Sequence, residues 1–181
     1  MGEREDFREL ARTIFEAVAG EFKDLRPSWS EAQGRRRPGA KPRGTARDAA
    51  PERVRFALGS SKDPVPAVDL ELHFDPQPGL LFNVTATLQG DELCLSVGDS
   101  FFGEWFPCSD NTIASEFQSC FQGVLSGRLR LVEFAREGRT FKAQLEDHGS
   151  GRWKAVATWT TLRWPSFHQS EVRILRNRRS G

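Results

Sequence analysis

The chain has 181 residues, 28% of them charged, and a formal net charge of +1. This size and composition are typical of one globular domain with a buried core, and we expect a single domain over residues 1–181. The small net charge excludes a strong overall field toward nucleic acid or an anionic membrane. Tyrosine is absent, so no tyrosine can serve as acid, base or nucleophile.

The first predicted element is an amphipathic helix over about residues 4–25. Its apolar side chains recur at the i, i+3, i+4 and i+7 spacing that places them on one helix face. The opposite face alternates acidic and basic residues, which is typical of a solvated surface. Pro27 ends the pattern. The apolar positions are Phe7, Leu10, Ala11, Ile14, Phe15, Val18, Phe22 and Leu25.

A basic segment without apolar periodicity follows this helix. Residues 26–55 contain nine basic and three acidic side chains, a local net charge of +6. Such a composition buries too little apolar surface to offset its ordering entropy. We therefore predict a disordered Arg/Gly/Pro-rich loop over about residues 31–50 and a flexible basic tail from about residue 176.

From residue 53 onward the apolar pattern has the period of two that marks β-strands with one buried face. Short turns join most of these segments, so the strands are expected to pair antiparallel. The segments span residues 54–58, 67–74, 80–88, 92–97, 128–134, 140–146, 152–162 and 170–175.

A second helix interrupts the strands. Ile113, Phe117 and Phe121 lie at helical spacing, Ser109, Asp110 or Asn111 is a candidate N-cap, and Gly127 follows the end. Because helices are few and do not alternate with strands, the class is α+β. We predict a curved, mostly antiparallel sheet of about seven to eight strands with both helices packed on one face.

The stretch VGDSFFGEWFPCSDN, residues 97–111, contains the candidate nucleophiles. Gly98-Asp99-Ser100 resembles the block that carries the nucleophilic serine of GDSL-type hydrolases, which implies a role for Ser100. The resemblance covers these three residues. The chain has neither the Gly-x-Asn-Asp block nor the C-terminal Asp-x-x-His block of that family, nor its alternating helices.

Cys108 is the second candidate nucleophile, because it precedes a predicted helix N-terminus, where the pKa of a thiol tends to fall. A hydrolase or transferase using Ser100 or Cys108 would need a histidine nearby. His73, His148 and His168 are the candidates, and the sequence does not place them.

The same stretch is richer in aromatic residues than a connection requires. Aromatic side chains beside a polar neighbour favour pockets and interfaces. We therefore predict a ligand- or partner-binding site at Phe101, Glu104, Trp105 and Cys108, with no catalytic residue and no cofactor. The favoured function is a non-catalytic module that binds a small molecule or a protein, of bacterial regulatory or immunity type.

Two further patterns give alternatives. Nucleic acid could contact the basic loop and tail, with each Arg adding a salt-sensitive attraction to phosphate. Trp153, Ala155, Ala157 and Trp159 are predicted to share one face of a strand, and this favours helix packing over base stacking. The candidate phosphate contacts are Arg35, Arg36, Arg37, Arg176, Arg178 and Arg179.

Asp69, Glu71 and His73 share one face of a predicted strand, a spacing that could bring ligands to a divalent ion. The same pattern is typical of the wet face of an edge strand, and we predict no metal site. Three cysteines without framework spacing favour a reducing compartment. With no apolar leader in the first thirty residues, the expectation is a cytoplasmic protein without a membrane partner.

Overall fold

A computed structural model of the chain describes residues 3–31, 68–149, 151–161 and 171–177. Two helices and nine strands lie within them, and none of those helices is long and apolar enough to cross a membrane. In chain order the elements are α1 Glu3–Glu21, β1 Pro27–Glu31, β2 Leu70–Phe74, β3 Val84–Gln89, β4 Glu92–Val97, β5 Phe101–Trp105, α2 Asn111–Ser126, β6 Leu129–Arg136, β7 Arg139–Asp147, β8 Lys154–Thr160 and β9 Glu171–Leu175.

The α+β class and the antiparallel pairing are confirmed, but the single sheet of seven to eight strands is not. The strands form a five-stranded sheet in the order β1-β2-β3-β4-β5 and a four-stranded sheet in the order β8-β7-β6-β9. β5 is an edge strand of the five-stranded sheet. After β5 the chain forms α2 and then enters β6, which belongs to the second sheet. β5 nevertheless contacts β8, which brings the two sheets side by side.

Two strands lie where the sequence predicted irregular structure. β1, with the sequence PSWSE, is mostly exposed and has no apolar alternation that would mark it. β5 occupies the stretch interpreted as a connection, and its Phe101, Gly103 and Trp105 point toward the core. The predicted strand 54–58 and residues 32–50 of the predicted loop lie outside the described residues.

Helix α1 ends at Glu21, four residues earlier than the apolar pattern predicts. The chain turns there, with the amide of Phe22 donating to the carbonyl of Ala19 and the amide of Leu25 donating to the carbonyl of Phe22. These turns keep Phe22 and Leu25 buried without a helix. The apolar spacing therefore predicts correctly that Phe22 and Leu25 are buried. Its prediction that they belong to the helix is wrong.

The core lies between the helices and the inner faces of the two sheets. Phe117 and Phe121 of α2 have ring centroids 6.0 and 6.3 Å from that of Phe15 in α1. Phe117 also meets Trp105 of β5 edge-on at 5.4 Å, and Phe121 meets Phe74 of β2 at 6.1 Å. One helix thus contacts the other helix and two strands through aromatic rings.

Of the three candidate N-caps of α2, the structure has Asp110, and the predicted end of the helix at Gly127 is confirmed. The carboxylate of Asp110 accepts hydrogen bonds from the amides of Thr112 (2.8 Å) and Ile113 (3.4 Å), which lack partners inside the helix. Gly127 follows the last turn with φ +72°, and its amide donates to the carbonyl of Val124. A glycine is favoured here because a Cβ would lie 2.0 Å from the carbonyl oxygen of Asn177.

Asn177 joins three parts of the fold. Its side-chain amide donates to the carbonyl of Val124 (2.9 Å), and its side-chain oxygen accepts from the amide of Leu81 (2.9 Å). The residue is only 2% exposed. Beside it, Arg176 donates from Nε to the carbonyl of Gly127 (2.6 Å). Both residues fall at the start of the predicted tail, and here they hold the C-terminal segment against α2.

We predict that Asn177→Ala destabilises the fold by about 2–3 kcal/mol, because it leaves the amide of Leu81 and the carbonyl of Val124 without their partner. Chemical denaturation followed by tryptophan fluorescence would measure the change. Ser109→Ala, at an exposed position before α2, is the matched control and should leave stability within about 0.5 kcal/mol. Equal stability of both variants would contradict the role given to Asn177.

Candidate functional site

The four residues of the predicted binding site do not share one surface. Phe101 and Trp105 lie in the core cluster, and Cys108 is buried in the same cluster. Glu104 lies on the opposite face of β5, since side chains alternate along a strand. The binding role of these four residues stays a prediction. Of the four, Glu104 lies beside two further potential ligand groups, Glu92 and Cys94.

The outer face of the five-stranded sheet is polar, and its centre is buried. Cys94 of β4 lies directly across from Glu104 of β5 on one side and from Thr87 of β3 on the other. Thr85 lies two residues from Thr87 on the same face. All four side chains are buried, whereas the outer face of an antiparallel sheet is ordinarily solvated.

Glu92, Cys94 and Glu104 form a compact group on this face. The Sγ atom of Cys94 and one carboxylate oxygen from each glutamate all lie within 4.8 Å of one another. Cys94 is 1% exposed and Glu104 is 6% exposed, while Glu92 is half-buried. We call these three residues the thiol–carboxylate cluster. Cys94 and Glu104 also make other contacts within the chain.

The pairing of strands explains the cluster. Glu92 and Cys94 are two residues apart on β4, so they point the same way, and the hairpin between β4 and β5 brings Glu104 opposite Cys94. The alternation of the sequence places Cys94 on the outer face of its strand. Its partnership with Glu104 was missed because β5 was not predicted as a strand.

Asp69, which precedes β2, and His73 within β2 have other partners. Nδ1 of His73 is hydrogen-bonded to Oγ1 of Thr85 (2.7 Å), and Nε2 is hydrogen-bonded to Asp75 (2.9 Å). The carboxylate of Asp69 accepts from the amide of Gly90 (2.9 Å). Across the described ranges, Asp69, Glu71 and His73 do not form a close group of ligand atoms.

Within the described residues, neither candidate nucleophile has a partner that would activate it. Burial, reinforced by the Asp91 carboxylate, raises the pKa of Cys108 to about 11, although its place before a helix predicts a lowered pKa. Asp110 already bonds the first amides of α2. The Ser100 hydroxyl is buried and has no hydrogen-bond partner in the described part of the chain. Burial also raises the pKa of Cys120 to about 12.

The basic residues of the nucleic-acid alternative are mostly beyond the described ranges: Arg35, Arg36, Arg37, Arg178 and Arg179. His168, the third candidate histidine, also lies outside them. Arg176 is held at the carbonyl of Gly127, and its guanidinium lies 5.4 Å from the ring of Trp153. Nucleic-acid binding stays a prediction.

The predicted common face of Trp153 and Trp159 is wrong. The register between β7 and β8 shifts at Leu145/Glu146, so Ala157 and Trp159 face the core while Trp153 contacts Arg130 on the outer face. The guanidinium of Arg130 lies 4.0 Å from the Trp153 ring, and His148 lies 4.9 Å from it. A bulge of one residue reverses the alternation of side chains between the two faces. The periodicity of the sequence does not predict where such a bulge occurs.

Comparisons of the chain with protein-family models, with curated proteins and with solved structures find no match in any of the three.

We predict that the free energy of unfolding falls between about pH 9 and about pH 11, because the folded state holds the Cys108 and Cys120 protons above their ordinary pKa of 9.0. The stabilisation is complete below the pKa of the unfolded thiols and is lost as pH rises toward the folded values. Each thiol contributes a slope of up to about 1.4 kcal/mol per pH unit.

Denaturant unfolding at about pH 8 and about pH 10.5 would measure this loss. A Cys108→Ala/Cys120→Ala double variant is the control, because other groups also titrate in this range. We expect a smaller fall in stability for the double variant than for the native chain. An identical fall in both proteins would show that the two thiols do not cause it.

Proposed function

We propose that the protein is a non-catalytic binding module and that its ligand is a divalent metal ion of the Zn²⁺ type, held by Glu92, Cys94 and Glu104. One observation carries the proposal: a thiol and two carboxylates from neighbouring strands place their ligand atoms within 4.8 Å of one another. Zn²⁺ accepts this combination, since cysteine sulfur and carboxylate oxygen are both among its usual protein ligands.

The distances suit a metal ion after a small adjustment. Bonds of about 2.0–2.3 Å from zinc to oxygen and sulfur place neighbouring ligand atoms about 3–4 Å apart. The cluster therefore needs a rotation of the glutamate side chains rather than a movement of the sheet. Cys94 and Glu104 are directly opposite each other across two hydrogen-bonded strands, so their backbones are already fixed relative to each other.

Electrostatics also favours a cation. Two carboxylates and a thiolate brought together at a buried position repel one another and lose hydration, and such burial is costly without compensating positive charge. A divalent ion between them would offset this cost. The ion would compete with the contacts that Cys94 and Glu104 make within the chain, so we expect moderate affinity rather than the tightest class of zinc site.

The non-catalytic part of the proposal is supported by the state of the nucleophiles. A hydrolase or transferase needs a thiolate or a hydroxyl oriented by a base. Instead, the pKa of Cys108 is raised to about 11. The hydrogen bonds of His73 go to Thr85 and Asp75 rather than to Ser100 or Cys108.

We predict that the untagged protein binds Zn²⁺, and that Cys94→Ala weakens binding at least about 10-fold, because it removes one of three ligands. Isothermal titration with Zn²⁺ would give the affinities. Titration with Co²⁺ would report the sulfur ligand directly, through a thiolate-to-metal absorption band that Cys94→Ala abolishes. Glu104→Gln should weaken binding and keep the band.

Cys108→Ala is the matched control, since it removes a buried thiol outside the cluster. It should leave both the affinity and the absorption band unchanged. Binding should weaken as pH falls, because protons compete with the metal for the thiolate and the carboxylates. Absence of Zn²⁺ binding to the native chain, or equal affinity of the Cys94→Ala variant, would refute the metal site.

A further inference from the structure

Two exposed apolar side chains of β9 lie on the outer face of the second sheet, beside the buried Val132 and the half-buried Phe134 of β6. Val172 and Ile174 are 53% and 54% exposed. They lie directly across from Phe134 and Val132 of β6, so the four side chains point to the same face. We call Val132, Phe134, Val172 and Ile174 the β9 surface. It lies on the four-stranded sheet, apart from the thiol–carboxylate cluster.

Among the residues that the structure describes, nothing pairs with the outer edge of β9, and side chains on both of its faces are exposed. Glu171 and Arg173, on the face opposite to Val172, have side chains that are 66% and 54% exposed and form an ion pair of 3.4 Å. β9 pairs with β6 on one side and with no other strand that the structure describes. The free amides and carbonyls of such an edge are a template for another strand.

We propose that β9 pairs antiparallel with β9 of a second copy of this chain, forming a dimer with two-fold symmetry. The two four-stranded sheets would then become one continuous sheet of eight strands. A two-fold contact uses the same surface on both copies and closes the assembly, so both exposed edges are consumed. Addition of a strand to a free edge is a common mode of protein recognition.

Face matching limits the register of this pairing. Val172 and Ile174 must stay on the apolar face in both copies, so Val172 has to lie opposite an even-numbered residue. A pairing centred on any one residue of β9 satisfies this. Of these registers, only the one centred on Val172 places Glu171 opposite Arg173 of the second copy. Centring on Arg173 places the two Arg173 side chains opposite each other.

Charge favours the register centred on Val172 and also favours a second copy as the occupant. Opposite charges directly across two strands stabilise a pair by about 0.2–1 kcal/mol, and like charges destabilise it. Centring on Val172 gives two Glu171–Arg173 pairs on one face. On the other face it joins Phe134 and Val172 of each copy into one apolar row. β9 is therefore complementary to itself, which favours a second copy over an unrelated strand.

A charge-exchange experiment tests this register. Glu171→Arg places arginine opposite Arg173 of the second copy. Arg173→Glu places glutamate opposite Glu171 of the second copy and opposite Glu133 of its own β6. Each variant alone should therefore dimerise more weakly than the native chain. An equimolar mixture should dimerise more strongly than either variant alone, because arginine then lies opposite glutamate at both positions. Sedimentation velocity over a concentration series would measure the species, with the native chain dimerising.

Val172→Asp and Val156→Asp provide a matched pair for the apolar surface. Both native side chains are exposed, but Val156 lies on β8, outside the β9 surface. We expect Val172→Asp to abolish dimerisation and Val156→Asp to preserve it. If either charge-reversed chain fails to fold, these two valine variants still test whether the β9 surface forms the dimer contact.

Three results would overturn the proposal: a native chain that stays monomeric throughout the series, a dimer that survives Val172→Asp, or a mixture of the two charge-reversed chains that does not associate. A native chain that is monomeric alone but binds a different protein in a manner sensitive to Val172→Asp would replace the second copy with that partner. The Zn²⁺ titration is unaffected by any of these outcomes, so the two proposals fail separately.

Discussion

The packing of α2 against both sheets is the interaction on which the rest of the fold depends. Phe117 and Phe121 contact α1, β2 and β5 through aromatic rings, and Val124 of the same helix receives the side chain of Asn177. Burial of each large apolar side chain contributes about 1.5–3 kcal/mol before entropy is deducted. Because the inner faces are packed in this core, both proposed sites lie on outer faces.

The two outer faces depart from the ordinary distribution of residues in opposite ways. Apolar side chains at a surface are common one at a time, so the informative features are a buried polar group and a contiguous exposed apolar patch. The first sheet has the buried pair Cys94 and Glu104, and the second has the exposed pair Val172 and Ile174. Neither arrangement is needed for the core, which is why each supports a binding role.

The sequence predicts much of what depends on local spacing, but not where α1 ends or which face Trp153 occupies. The apolar face of α2 with its caps Asp110 and Gly127 and the inward residues of β3 and β4 follow from periods of 3.6 and 2. Strand β5 was missed because its aromatic residues on both faces obscure the alternation. The thiol–carboxylate cluster was missed for the same reason. Cys94 and Glu104 meet because β4 pairs with β5, and the spacing of residues along one strand does not predict which strand it pairs with.

The order of the strands separates the two proposed sites. The thiol–carboxylate cluster lies on β4 and β5, β5 contacts β8, and β7 and β6 lie between β8 and β9. With hydrogen-bonded strands about 4.8 Å apart, the three spacings from β8 to β9 alone span about 14 Å. Effects of substitutions that far apart are usually additive. A change in metal affinity on dimerisation would therefore have to pass between the sheets, either through the β5–β8 contact or through α2, which packs on both sheets.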